Sequence, residues 1–384
     1  MIDHPSIVFT MLPYLNKLLK WKSYVTVGHC GLLSKFEGFA EFNFLVDINS
    51  IFSNLPKDMP RDRTQTVRSP VNLQINRPWV APTEHMSLNE SLSRRVASLT
   101  MQNQKINIFW SGGVDSTTML TAFLKHSTDL QQLRILYSPY STYEHPEYLK
   151  FLSKFNIELV DISGEIYLNH QFDGVFLTGE GGDELHASLD QSFFTKYGVS
   201  ALYRPWREFF RENGADSKLI EFCEKYFAIS NRPIDTVLEA RWWFYASCKN
   251  YDNITKKLLL FTNYTNFNIN IAQGFFDCAE YECFIYWNLD KIITTDFYSG
   301  WRKILKQYCF EFDSLEDWYI NKEKTDSKQL NLYANKNSLL KNIRPIFILE
   351  DNSIIQTPNL PLLSRLEFER QYGTTLDYLF NEPN

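Results

Sequence analysis

The chain has 384 residues, 44% hydrophobic and 22% charged, a balance that excludes long disorder and leaves ample length for a buried core. Its formal charge of −6, from 39 basic and 45 acidic side chains, gives no basic footprint for duplex nucleic acid or an anionic membrane. No apolar run of about 18 residues is present, and the start, Met1-Ile2-Asp3-His4, lacks a basic n-region, so a cytoplasmic protein is expected.

Residues 23–27 and 42–46 read as strands, which predicts a small β-rich segment over residues 1–85. Pro56, Pro60, Pro70, Pro78 and Pro82 break any periodicity, so residues 55–83 read as an extended linker ending near residue 85. Leu88, Leu92, Val96 and Leu99 recur at helical spacing and predict an amphipathic helix over 87–101. Residues 106–110 form a short apolar strand, followed by a glycine turn and a helix over 117–124. Strands are predicted at 133–137, 157–162 and 175–178, with a helix over 146–155 between the first two. Such alternation predicts a parallel α/β sheet over 86–192, with ligands at the carboxyl ends of its strands. Helix candidates follow at 220–227, 237–247, 281–289 and 301–309, without comparable strand patterns. Residues 193–384 are therefore expected to form a mainly α-helical half on the substrate side, over the sheet's carboxyl edge. The six cysteines form no CxxC pair and the histidines no HExxH cluster, so buried thiols are expected rather than a zinc site. The dense aromatic content, 16%, is read as core.

Two motifs carry the chemistry. Ser111-Gly112-Gly113-Val114-Asp115-Ser116 lies between a strand and a helix. Its glycines let the backbone fold tightly, the helix start adds N–H groups and a positive dipole end, and the serines add hydroxyls. That is a cradle for phosphate. Asp115 would repel phosphate unless it holds a bridging Mg²⁺. Gly179-Glu180-Gly181-Gly182-Asp183-Glu184-Leu185 follows the fourth strand, where it can face the first loop. Asp183 could then share the Mg²⁺ with Asp115. Alone, the second motif also reads as an acidic glycine-rich turn.

The first loop is not a Walker A motif; it resembles the pyrophosphate-binding loop, SGGxDS, of the PP-loop ATP pyrophosphatases. Together with Thr178-Gly179-Glu180-Gly181-Gly182-Asp183-Glu184-Leu185, it resembles the synthetase domain of asparagine synthetase and relatives such as β-lactam synthetase and the lasso-peptide cyclases, over roughly residues 87–330. The resemblance implies a PP-loop core of the adenine nucleotide alpha hydrolase type, with ATP and Mg²⁺ as ligands. It implies that a carboxylate is activated as an acyl-adenylate with release of pyrophosphate, and that an amine then displaces AMP. It places adenosine near Trp110, Tyr137, Ser138, Thr178 and Gly179, with Ser111, Gly112, Gly113, Asp115, Ser116 and Gly182 around the phosphates. Phe275-Phe276-Asp277 matches the tail of the family's Arg-x-Pro-Phe-Leu-Asp stretch, and Lys322-Glu323-Lys324 fits its Arg-x-Lys segment. Glu184, Asp277 and Lys324 are thereby carried over as catalytic candidates, with Lys324 facing the acyl-phosphate.

The chain departs from the family twice. Glutamine-dependent members begin with a catalytic cysteine on a glutaminase domain of about 200 residues; here residue 2 is Ile2 and some 85 residues precede the synthetase region. The nitrogen is therefore expected from free ammonia, a separate glutaminase or an amine on the substrate. The family's Glu-Leu-Phe-Gly-Gly-Tyr is replaced by Glu184-Leu185-His186-Ala187-Ser188-Leu189, which leaves open whether the substrate is a small-molecule or a peptide carboxylate. Another PP-loop enzyme modifying a nucleotide or tRNA is an alternative, though such relatives commonly carry clustered cysteines. A non-catalytic ATP-binding descendant is another, opposed by the retention of Ser111, Asp115, Ser116 and Asp183.

Overall fold

The computed structural model describes residues 24–27, 30–31, 38–53, 62–68, 77–162, 172–179, 181–182, 193, 196–249, 272–292, 297–315, 318–319, 346–348 and 354–356. The chain divides into two compact units: Met1–Trp79, Phe210–Tyr226 and Asp326–Asn384 in one, Val80–Phe209 and Phe227–Thr325 in the other.

In the first unit, β1 (Tyr24–Val27) falls within the predicted strand and pairs antiparallel with β2 (Cys30–Gly31). Residues 42–46 are not a strand. They belong to helix α1 (Ala40–Ser53), which buries Phe42, Leu45, Val46 and Phe52. The alternation of Phe42, Phe44 and Val46 suggested a period of two, but the longer pattern of buried positions has helical spacing, and packing over the longer window decides. Part of the expected linker is likewise a closed turn. The Asp62 carboxylate accepts from the backbone N–H groups of Thr64, Thr66 and Val67 at 2.8–3.0 Å and from the Tyr226 hydroxyl at 2.9 Å. An aspartate that caps its own turn in this way replaces missing secondary structure as a source of partners for backbone N–H groups.

The second unit is α/β, with a five-stranded, all-parallel sheet. It opens with α2 (Leu88–Thr100), where the Ser87 hydroxyl accepts from Glu90 N–H and Leu88, Leu92, Val96 and Leu99 are buried, as the spacing predicts. The strands and helices then alternate: β3 (Ile106–Phe109), α3 (Val114–His126), β4 (Leu133–Tyr137), the short α4 (Pro139–Glu144) and α5 (Tyr148–Leu152), β5 (Glu158–Asp161) and β6 (Val175–Thr178). Ile106, Ile108, Ile135, Phe176 and Leu177 are fully buried, because a parallel sheet is covered on both faces.

Further along lie α6 (Trp206–Glu212), α7 (Ser217–Ala228), which belongs to the first unit up to Tyr226, and α8 (Val237–Phe244) of the second, continued by a π-helical turn to Lys249. The next element corrects the sequence reading: β7 (Ala272–Gly274) is a strand beyond residue 193, paired parallel with β6. It is three residues long and contains Gln273 and Gly274, so it shows neither alternation nor an apolar run. Two predicted helices follow as α9 (Ala279–Ile292) and α10 (Phe297–Asp313). They pack along α2 and α3 respectively. Two short strands, β8 (Ile346–Ile348) and β9 (Ile354–Gln356), join the first unit, whose antiparallel sheet has the order β2-β1-β8-β9.

Cys223, Cys248, Cys278, Cys283 and Cys309 are buried free thiols, and burial pushes Cys309 up to about 12. A thiol held there is protonated at neutral pH and inert. Among the described residues no helix is long and apolar enough to cross a membrane.

The α3–α10 contact contains a titratable group. His126, in the last turn of α3, shares a hydrogen bond of 3.1 Å with the Tyr308 hydroxyl of α10. Burial first, and Lys125 second, hold its ring below the ordinary imidazole value. A lowered value in the fold means that the neutral ring is favoured, so the stability it contributes is present above about pH 6.5 and is lost as pH falls through the folded-state value. The melting temperature should drop between pH 7 and pH 5, and His126→Gln should flatten that slope; identical slopes in the two proteins would exclude His126 as its source.

Candidate active site

The strand order β5-β4-β3-β6-β7 sets the geometry. From β3 the chain moves outward through β4 to β5; from β6 it moves the other way to β7. The connections therefore diverge between β3 and β6, and a crevice opens at their carboxyl ends. The register pairs Phe109 with Thr178, so the loops that leave these residues start side by side.

The first loop is held by its own hydroxyls. Ser111 N–H donates to the Ser116 hydroxyl at 3.1 Å, the two serine hydroxyls lie 2.9 Å apart, and Gly113 N–H donates to the Ser111 hydroxyl at 3.3 Å. Ser116 is buried and bonded within the loop, while Ser111 stands exposed at the mouth. Gly112 has φ +77°, and a Cβ there would strike the Ser141 carbonyl and the Glu144 side chain. Gly113 is the N-cap of α3 and no side chain caps it, so the helix start faces the crevice with backbone N–H groups. Asp115 lies in that first turn, where a carboxylate also stabilises the helix through its dipole.

The second loop comes into direct contact with the first. A Cβ on Gly179 would lie 2.6 Å from the Ser116 backbone nitrogen, and one on Gly182 would lie 2.7 Å from Asp115 Oδ1. The Tyr281 hydroxyl donates to the Gly182 carbonyl at 3.4 Å. Asp183 and Glu184, the residues next in line, lie outside the described residues, as do His186, Lys322 and Lys324.

Between the loops is a cleft of about 250 Å³, lined by Phe109, Trp110, Ser111, Gly113, Asp115, Ser116, Leu136, Ser138, Ser141, Ile162, Thr178 and Gly179. That is close to the lower bound of small-molecule sites, about 300 Å³. Trp110, only 2% exposed, donates from Nε1 to the Thr117 hydroxyl at 3.1 Å and stacks on Tyr148. Ser138 caps α4, and the Ser141 hydroxyl donates to the Trp110 carbonyl at 2.6 Å. Thr178 is 4% exposed, and its buried Oγ1 has no hydrogen-bond partner among the described residues. A buried hydroxyl left so at the wall of a cleft is a place for a ligand's polar atom, since leaving it unmade costs about 1–3 kcal/mol.

Of the candidate residues, Trp110, Ser111, Gly113, Asp115, Ser116, Ser138, Thr178 and Gly179 line this cleft. Gly112 and Gly182 pack behind it, one on α4 and one on the Asp115 carboxylate. Tyr137 is half-buried at the end of β4, does not line the cleft, and accepts Ile162 N–H on its carbonyl at 2.8 Å. Asp277 is half-buried in the turn after β7 and donates its N–H to the Gly274 carbonyl at 3.2 Å; it lies on the same edge of the sheet but outside the lining. Phe109, Leu136, Ser141 and Ile162 were not singled out from sequence. All but Ser141 sit at or just after the carboxyl ends of β3, β4 and β5, which is the signal that could have found them.

The donor set suits a triphosphate: backbone N–H groups at a helix start, one exposed hydroxyl, and a carboxylate able to hold a cation. Among the described residues no group of three or more His, Cys, Asp or Glu side chains is placed to hold a metal ion by itself. A single carboxylate completed by phosphate oxygens and water is the pattern of Mg²⁺. A scan against protein-family models and a search of curated proteins return no match for the chain.

The contact between the loops leaves no room for a side chain at residue 179. Gly179→Ala should force the Ser116 backbone to move and destabilise the fold by about 1–3 kcal/mol. Gly113→Ala, whose Cβ meets only the Ser111 hydroxyl at 3.3 Å and whose φ is −74°, should cost about 1 kcal/mol or less. Denaturant unfolding of both variants checks the contrast; equal losses would contradict the packing described.

Proposed function

We propose that this chain is an ATP-dependent carbon–nitrogen ligase of the asparagine-synthetase type, built on a PP-loop core and forming AMP and pyrophosphate. The observation that carries the reading is the meeting of two glycine loops at the crevice between β3 and β6, with Gly179 against Ser116 and Gly182 against Asp115.

In this reading the N–H groups at the start of α3 and the Ser111 hydroxyl hold the phosphates, and the Thr178 hydroxyl bonds the nucleotide. Phe109, Leu136 and Ile162 provide an apolar wall for the base. Mg²⁺, held by Asp115 and Asp183, would offset the phosphate charge. A substrate carboxylate oxygen attacks the α-phosphorus, the bond to the α–β bridging oxygen breaks, and pyrophosphate leaves with that electron pair. An amine nitrogen then attacks the acyl carbon and loses a proton, and AMP leaves with the electrons of the carbon–oxygen bond. Ordering two reactants in one cleft removes much of the entropic barrier. Glu184, Asp277 and Lys324 are part of this proposal as catalytic candidates, Lys324 opposite the acyl-phosphate, where a fixed ammonium would act mainly in the transition state. The acceptor is a small-molecule or peptide carboxylate, and the nitrogen comes from ammonia, a separate glutaminase or a substrate amine.

Labelled ATP incubated with Mg²⁺ and panels of carboxylates and amines should yield AMP and pyrophosphate in equal amounts; ADP and orthophosphate as the paired products would overturn the reading. Asp115→Asn should weaken the Mg²⁺ dependence or the turnover by at least about tenfold. Wild-type turnover in that variant would remove Asp115 from the metal site.

A further inference from the structure

The wall of the cleft opposite the second loop is α4, a helix of six residues, Pro139–Glu144. So short a helix does not hold itself in water, because nucleation is costly and few intrahelical bonds repay it. Yet the site depends on it. Ser138 and Ser141 line the cleft, the Ser141 hydroxyl holds the Trp110 carbonyl at 2.6 Å, and the Gly112 turn lies against Ser141 and Glu144 with no space for a Cβ.

What fixes the far end of α4 comes from 174 residues later in the chain. Trp318 Nε1 donates to the Glu144 carbonyl at 2.9 Å, and its ring stacks on His145 with centroids 3.9 Å apart and planes 5° from parallel. His145 is fully buried and Glu144 nearly so. The segment bearing Trp318 is itself tied down. Asp313, at the end of α10, accepts Leu315 N–H at 2.9 Å and the Tyr319 hydroxyl, and Tyr319 meets His145 edge-on. The carbonyl of a last-turn helix residue thus has its partner in an indole from a distant segment, and that indole stacks on the next residue of the chain.

We propose that Trp318 is a positioning residue for the nucleotide site: by capping and clamping α4 it holds the surface on which the Gly112 turn rests, and so sets the affinity of the cleft for ATP. The inference rests on the ATP reading above. Among the described residues Trp318 contacts Glu144, His145 and Tyr319, none of which is assigned to the phosphates or the metal.

Titration calorimetry with ATP·Mg²⁺ on the full chain tests it. Trp318→Leu, which loses both the N–H and the stacked face, should bind ATP about tenfold more weakly than wild type, the factor that one such lost contact gives. Trp318→Phe keeps a ring against His145 and should recover part of that loss. Trp287→Phe, a control at an exposed indole, should bind as wild type. Binding of Trp318→Leu within about twofold of wild type overturns the proposal and leaves the ATP reading standing. Where Trp318→Leu does not fold, Trp318→Phe decides: affinity equal to wild type overturns the proposal, and about threefold weaker binding with an unchanged melting temperature supports it. No ATP binding by the wild-type protein overturns both.

Discussion

Two backbones meet at the carboxyl end of the sheet with nothing between them. The carbon that any residue other than glycine would carry at position 179 falls 2.6 Å from the backbone nitrogen of Ser116, inside van der Waals contact of a group that cannot rotate away. This approach is possible because β3 and β6 are neighbours in register, and because the connections that leave them run in opposite directions. Everything in the cleft follows from it. The first turn of α3 is brought beside the second loop, and the Asp115 carboxylate is set against Gly182. The hydroxyl of Thr178, at the last position of β6, lines the cleft and has no hydrogen-bond partner among the described residues.

Besides the hydroxyl bonds within the first loop, its shape is supported from behind. On one side α4 supports Gly112, and the aromatic set of Trp110, His145, Tyr148 and Trp318 supports α4. The buried hydroxyls there are satisfied: Thr121 and Tyr148 share a bond of 2.9 Å, and Trp110 Nε1 reaches Thr117. Each buried hydroxyl paired in this way favours one arrangement of the side chains behind the loops. On the other side Arg95 of α2 donates to the carbonyls of Gly274 and Phe275 at 3.2 and 3.0 Å, fixing the end of β7 beside β6. The dense aromatic content is thus mostly core, and some of that core is the frame of the cleft.

The central sheet was legible because a parallel strand buried on both faces is a continuous apolar run. Ile106–Phe109 and Val175–Thr178 could be marked from sequence, and the motifs at their ends could be placed on loops that face one another. The helix over Leu88–Thr100 was legible from the spacing of its apolar residues. What failed was short or ambiguous. Phe42, Phe44 and Val46 satisfy a period of two over five residues, and only the burial of the whole helix to Phe52 separates the two periods. Three residues, Ala272–Gly274, are too few to show any period, and their strand exists because β6 offers an unpaired edge. In the site, glycines, serines and an aspartate announce themselves by type, whereas Leu136 and Ile162 are ordinary core residues whose role depends on the ends of the strands they follow. The clamp at Trp318 could not be read at all, because it joins residues 174 positions apart through a backbone carbonyl.

A crystal structure of the protein grown with Mg²⁺ and an ATP analogue that carries a methylene between the α and β phosphorus atoms puts the central claim to the most direct test. The account predicts the triphosphate on the backbone N–H groups at the start of α3 and the Ser111 hydroxyl, a cation between Asp115 and phosphate oxygens, and a polar atom of the nucleotide within hydrogen-bond distance of the Thr178 hydroxyl. A cleft left empty at saturating analogue, or a triphosphate bound elsewhere on the molecule, would contradict it.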